Sequence, residues 1–181
     1  MTKTNGERYY SYIINCVYDV LDISEEAGPI LAHIGEYFKL KAGSVCPPTN
    51  YLGTKLHFTR LLNGVAACGV SPSQYVQEAT KCCKKHVDKI FKGKYIWFGK
   101  APNPFVMNYD PCTDISTVCT ANKVSYFQSL IGVMRWMVEI GRIDIATEIS
   151  FFSSHMVIPQ EVHLEADICV MSYFHLKHNS Y

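Results

Sequence analysis

The stretch YIINCVYDVLDIS, residues 12–24, sets two short apolar runs on either side of Cys16-Val17-Tyr18-Asp19. Tyr10, Tyr12, Ile13 and Ile14 lead in, and Val20, Leu21 and Ile23 lead out. Aromatic and β-branched side chains fit a pleated, half-buried surface, so the stretch predicts strand, turn, strand. The turn has neither Asn-Gly nor Asp-Gly, the pairs that accept the positive φ of a two-residue hairpin loop. Asp19 sits at the turn. Asp22 lies on the returning strand, and strand alternation points it away from the tip. A hairpin with one carboxylate at its tip decides how the rest of the chain is read.

Downstream, the pattern changes from period two to period 3.6. In "SEEAGPILAHIGEYFKLK", Pro29 suits a first helical turn, and Ile30, Leu31, Ile34, Tyr37 and Phe38 fall at helical spacing. This predicts a helix over about residues 29–39. "CPPTN" is a loop, "YLGTKLHFTRL" (51–61) a strand closed by an Asn63-Gly64 turn, and 65–70 a second short strand. In "SPSQYVQEATKCCKKHVDKIFKG", Ser71 is a suitable N-cap, Pro72 a first residue and Gln74 a capping-box partner. Tyr75, Val76, Ala79, Cys83, Val87, Ile90 and Phe91 make one apolar stripe, and Gly93 suits the C-cap.

Residues 101–122, rich in Pro, Asn, Asp and Thr, have no sustained period and read as an irregular loop. Three helices follow. The first carries Tyr126, Phe127, Leu130, Ile131, Met134 and Met137 or Val138 and ends at Gly141. The second runs from Asp144 to His155. The third opens at Pro159, with early Glu161 and Glu165 and a late Lys177 that match the helix dipole.

The chain has 181 residues, 48% of them hydrophobic, and a net charge of +1. That is one domain's length with a globular composition. "MTKTNGERYY" has no apolar signal-peptide core, and no run approaches the roughly 18 apolar residues of a membrane span. The expectation is a soluble intracellular protein, cytoplasmic or nuclear, with no membrane partner. The eight cysteines (16, 46, 68, 82, 83, 112, 119 and 169) form no Cys-x-x-Cys pair and read as free thiols. His175-x-x-His178 finds no carboxylate or Cys to complete a zinc pattern. No Gly-rich phosphate loop or Gly-x-Ser-x-Gly elbow is present, and no small-molecule cofactor is indicated.

Two features could carry chemistry. Nucleotidyl transfer uses two Mg²⁺ ions about 3.5–4 Å apart, clamped by carboxylates, and a tight hairpin can present adjacent Asp residues to them. Here Tyr18 stands where the neighbour of Asp19 would be. The other feature is basic. Residues 81–100 hold seven Lys and a single acid, Asp88, and Lys81, Lys84, Lys85 and Lys92 lie on the polar side of the helix. Such a row is either a solvated face or a set of phosphate contacts. It contains no Arg, which weighs against base-specific readout.

Four stretches, taken in order, resemble the reverse transcriptase of copia-type retrotransposon polyproteins. "YIINCVYDVLDIS" resembles its Tyr-x-Asp-Asp hairpin, "YLGTKL" the palm strand that follows, and "GVSPSQYVQEA" the helix opening after that strand. The fourth stretch is similar to that family's succession through Gln128-Ser129-Leu130-Ile131-Gly132, Arg142-Ile143-Asp144-Ile145, and Pro159 with His163. The match runs from about residue 8 to 178.

The resemblance implies an α+β fold. A small antiparallel sheet, a partial polymerase palm with its hairpin, occupies residues 1–70, and a mostly helical thumb or connection region occupies 71–181. It implies a nucleic-acid partner, an RNA or DNA primer–template, with Lys81, Lys84, Lys85 and Lys92 near its backbone. It implies Mg²⁺ as the ancestral cofactor and Asp19 as the remnant of the catalytic, metal-binding pair. The motif's first Asp falls on Tyr18 and its Tyr on Cys16. A phenol with a pKa near 10 stays protonated at neutral pH and cannot replace a carboxylate on a hard cation. The fingers and early palm, with the other metal-binding Asp, would precede residue 1. The expectation is a fragment without polymerase activity, and restoring Asp at Tyr18 is not expected to rescue it. The alternative is a non-enzymatic nucleic-acid- or protein-binding remnant of the element.

Overall fold

The structure is a computed structural model, and it describes residues 6, 8, 10–17, 19–24, 27–91, 101–105, 109 and 115–178. The fold is α+β, with small antiparallel sheets followed by helices. The chain divides into two compact units, Met1–Leu52 and Gly53–Tyr181.

The first unit holds the hairpin β1 (Tyr12–Cys16) and β2 (Asp19–Ile23), the helix α1 (Ala27–Tyr37) and the two-residue strand β3 (Asn50–Tyr51). The register runs from Tyr12 opposite Ile23 to Cys16 opposite Asp19. Val17 follows β1 as a turn residue. α1 begins two residues earlier than its pattern suggested and has no buried residue. Tyr12, Ile13, Ile14 and Ile23 are all exposed. The apolar runs of the hairpin read as a strand pair covered on both faces, and this unit covers neither.

The second unit carries the core. β4 (Thr54–Arg60) and β5 (Ala66–Ser71) pair antiparallel from Lys55 opposite Ser71 to Arg60 opposite Ala66. The expected Asn63-Gly64 turn joins them. Gly64 takes φ 81°, its N–H donates to the Leu61 carbonyl at 2.8 Å, and Asn63 Oδ1 accepts from the Val65 N–H at 3.1 Å. The strand expected over residues 51–61 is interrupted. Leu52 and Gly53 take φ 51° and 80°, a turn conformation that no strand contains, so β4 starts at Thr54.

The helix α2 (Ser73–Phe91) begins with the Val76 N–H donating to the Pro72 carbonyl. Ser71 is therefore the last residue of β5 rather than the cap. Of the α2 stripe, Val76, Cys83, Val87 and Phe91 are buried and Tyr75 and Ala79 half-buried, while the Ile90 side chain and the expected Gly93 cap lie outside the described residues.

The helices α3 (Ala121–Glu139), α4 (Ala146–Ser154, entered through a 3₁₀ turn at Ile143–Ile145) and α5 (Glu161–Leu176) complete the unit. Phe127, Leu130, Ile131, Met134 and Met137 of α3 meet Ile149 and Phe152 of α4. Gly141 ends α3 with φ 118°, a conformation that suits glycine. Fully burying each such side chain contributes about 1.5–3 kcal/mol.

α5 is the central helix, buried without interruption from Ala166 to Ser172. Its start lies at Glu161 rather than Pro159. The Pro159 carbonyl accepts from the Cys119 N–H and the Glu161 N–H donates to the Thr117 carbonyl, so residues 117–119 and 159–161 pair as a short bridge. Gln160 is the N-cap, and its N–H donates to His163 Nδ1 at 3.0 Å. Among the described residues no helix is long and apolar enough to cross a membrane.

Candidate nucleotidyl-transfer hairpin and lysine face

The β1–β2 hairpin places Asp19 as the first residue of the returning strand, directly across from Cys16. The loop opens at Val17, which takes φ 52°. A β-branched residue in the left-handed region is strained, and this is the structural counterpart of the missing Asn-Gly signal. Tyr18, which stands where the second carboxylate would be, lies outside the described residues.

Asp19 is exposed and Asp22 half-buried. They are three residues apart on one strand, so the pleat turns them to opposite faces. Ser11 donates to Asp22 Oδ1 at 3.3 Å. Asp22 thus belongs to the flank of the hairpin and does not supplement Asp19. The other polar neighbour is Tyr51, whose hydroxyl donates to the Ile14 carbonyl at 3.3 Å. Burial raises the Tyr51 phenol, and the nearby Cys16 and Asp19 add to the shift.

This donor set does not fit a pair of Mg²⁺ ions. Such a site needs carboxylates on both metals, whereas the hairpin presents one carboxylate with a thiol and a protonated phenol beside it. Among the described residues no group of three His, Cys, Asp or Glu side chains is placed to hold a metal ion.

Lys81, Lys84 and Lys85 are exposed on α2, opposite the buried Val76, Cys83 and Val87. Spacings of three and four residues keep them on one side of the helix. Lys81 donates to Glu78 Oε1 at 3.2 Å across an exposed turn. Lys92 lies outside the described residues. The hairpin and the lysine face belong to different units.

The motif residues of the helical part hold joints of the fold. Gln128 Nε2 donates to the Met156 carbonyl at 2.9 Å, tying α3 to the turn after α4. Leu130 and Ile131 are core. Arg142 is completely buried. Its Nε and Nη2 donate to the two carboxylate oxygens of Asp144 at 2.8 and 2.6 Å, and its guanidinium lies 4.4 Å from the Phe174 ring centroid. Tyr173 also donates to Asp144 Oδ2. Burial pushes the Asp144 carboxyl up, but the hydrogen bond and charge of Arg142, with Tyr173, outweigh it and hold it below the usual range.

His163 and His178 hold joints of the fold as well. His163 closes the capping box of α5, with its ring 4.2 Å from that of His155. His178 Nδ1 sits 3.0 Å from Ser73 Oγ and 3.1 Å from Gln77 Nε2, clasping the end of α5 to the start of α2.

One residue was not singled out by the sequence reading. Asp167 in α5 is completely buried, and neither of its carboxylate oxygens has a hydrogen-bond donor among the described residues. Its signal was an ionisable residue set directly before the apolar run Ile168-Cys169-Val170-Met171. Compared with protein-family models, curated proteins and solved structures, the chain matches none.

Proposed function

We propose that this chain is a C-terminal palm and thumb portion of a copia-type reverse transcriptase that no longer carries a polymerase centre. The hairpin is the observation that carries this reading: one exposed carboxylate, Asp19, begins the returning strand opposite Cys16, and in the sequence Tyr18 precedes it where the resembled motif has its other acid. RNA-directed DNA synthesis needs metal ions on both the attacking and the leaving oxygen. A lone Asp with a protonated phenol beside it holds at most a weakly bound, hydrated Mg²⁺, so the ancestral cofactor is not bound productively.

The ordered motif succession in the helical unit supports the same ancestry, because Gln128, Arg142, Asp144 and His163 each secure a joint of the fold. Purified protein given an annealed RNA template and DNA primer, dNTPs and Mg²⁺ or Mn²⁺ is expected to leave the primer unextended. Template-dependent extension would refute the reading.

A second reading, a retained nucleic-acid-binding module, is favoured by the exposed Lys81, Lys84 and Lys85. It gives the chain a partner, the primer–template backbone, without chemistry, and a place in the cytoplasm or nucleus. Binding should weaken steeply with salt. Binding indifferent to salt, or no binding, would remove it.

A further inference from the structure

α5 is buried all round through Ala166–Ser172, and an ionisable side chain, Asp167, lies within that segment. Asp167 has no solvent exposure, and no Lys, Arg or His donates to either of its oxygens among the described residues. Cys83 of α2 and Tyr126 of α3 lie close enough to interact with it electrostatically. Those two lie against each other, Cys83 Sγ at 3.3 Å from the Tyr126 hydroxyl. His86 of α2 covers the Tyr126 ring, with centroids 4.0 Å apart. Three weak acids from three helices thus share one junction, and among the described residues no charged side chain donates to Asp167.

We propose that Asp167 makes the α2–α3–α5 packing a proton-dependent latch: α5 docks with Asp167 as a neutral carboxylic acid, and loss of that proton to solvent loosens α5 from α2 and α3. A buried carboxylate without a partner is strongly disfavoured, so the group keeps its proton or the site opens to water. Burial alone raises the Asp167 carboxyl well above its ordinary range. The same junction pushes the Cys83 thiol up to about 12 and raises the Tyr126 phenol. Neither therefore ionises near neutrality to compete with Asp167.

The sign follows from linkage. With the folded value above the unfolded one (about 3.9 for a free Asp), the neutral acid imposes no penalty below that value. As pH climbs toward the folded value, the unfolded chain releases its proton first, and the folding constant falls up to tenfold for each pH unit. This is opposite to the behaviour of a salt-bridged carboxylate.

The test compares thermal unfolding of the full chain with that of Asp167→Asn from pH 5 to 8, together with carboxyl ¹³C titration of the wild type. The wild-type midpoint is expected to fall with rising pH relative to Asp167→Asn, which mimics the neutral acid and carries no proton to lose. Amide exchange across 166–172, corrected for its intrinsic pH dependence, should rise in the wild type alone. Parallel pH profiles for the two proteins would overturn the proposal. If Asp167→Asn fails to fold, the carboxyl titration decides. A resonance still protonated where the other carboxylates have ionised supports the latch, and titration near 4 overturns it.

Discussion

Arg142 and Asp144 show how a single motif residue does its work. The guanidinium is buried with no exposure, while Asp144 keeps about a third of its side chain open. Removing the Arg leaves a partly buried carboxylate with the Tyr173 hydroxyl and a backbone N–H as its donors. Arg142→Met is therefore expected to cost about 3 kcal/mol, the lower end for breaking a buried pair, measured as a shift in the urea midpoint. Because the Asp144 carboxyl is held below its ordinary value, the stability it contributes is present above the unfolded value near 3.9 and lost as pH falls through the folded one. Arg142→Met should flatten that acid limb, and an unchanged acid profile would show that the pair does not hold Asp144 down. Val17 makes the opposite case. A β-branched residue at φ 52° carries about 1–2 kcal/mol of strain. Val17→Gly, after glycine's own entropic cost, should raise exchange protection of the β1–β2 amides severalfold. Unchanged protection would mean that the loop relaxes without it.

At the scale of the element, the helices were the legible part. The stripes of α2 and α3 repeat every 3.6 residues over five turns, and burial of Val76, Cys83, Val87, Phe127, Ile131 and Met134 follows them. Boundaries were less legible, because caps depend on backbone geometry that spacing does not encode. Ser71 stays in β5, Pro159 pairs with Cys119, and Leu52-Gly53 turn inside an otherwise strand-like run. The capping role of His163 was also hidden, since a His at the third helical position resembles any surface His until Gln160 is seen to donate to it. His163→Ala removes both that cap and a buried ring, and should lower stability by about 2 kcal/mol, read by urea unfolding. Among the site residues, Lys81, Lys84 and Lys85 are exposed on the polar side of α2 as the spacing implied, Asp19 is the first residue of β2 rather than a turn residue, and Tyr18 and Lys92 fall outside the described residues. Asp167 was only weakly signalled, because an Asp beside an apolar run is as compatible with an exposed helix face as with a buried one, and the packing decides between them. The lysine face carries its own test. Replacing Lys81, Lys84 and Lys85 together by Gln should leave helicity unchanged. The slope of log affinity for an RNA–DNA duplex against log salt should become shallower by about 2–3. An unaltered slope would assign the row to solvent.

At the scale of the whole molecule, the two units differ in how well each satisfies itself. Gly53–Tyr181 encloses an apolar core from four helices. In Met1–Leu52, a two-stranded hairpin with Tyr12, Ile13, Ile14 and Ile23 exposed is of a size that is marginal alone. Reading the chain as a polymerase portion explains both facts together. Gln128, Arg142, Asp144 and His163 stabilise the helical unit, and on the proposed reading the hairpin is a former metal-binding tip with one carboxylate, Asp19, in place of two. The most direct measurement is primer extension by the purified chain on an RNA template, with Mg²⁺ or Mn²⁺ and all four dNTPs. No template-dependent product is the expected result, and extension that follows the template sequence would contradict it.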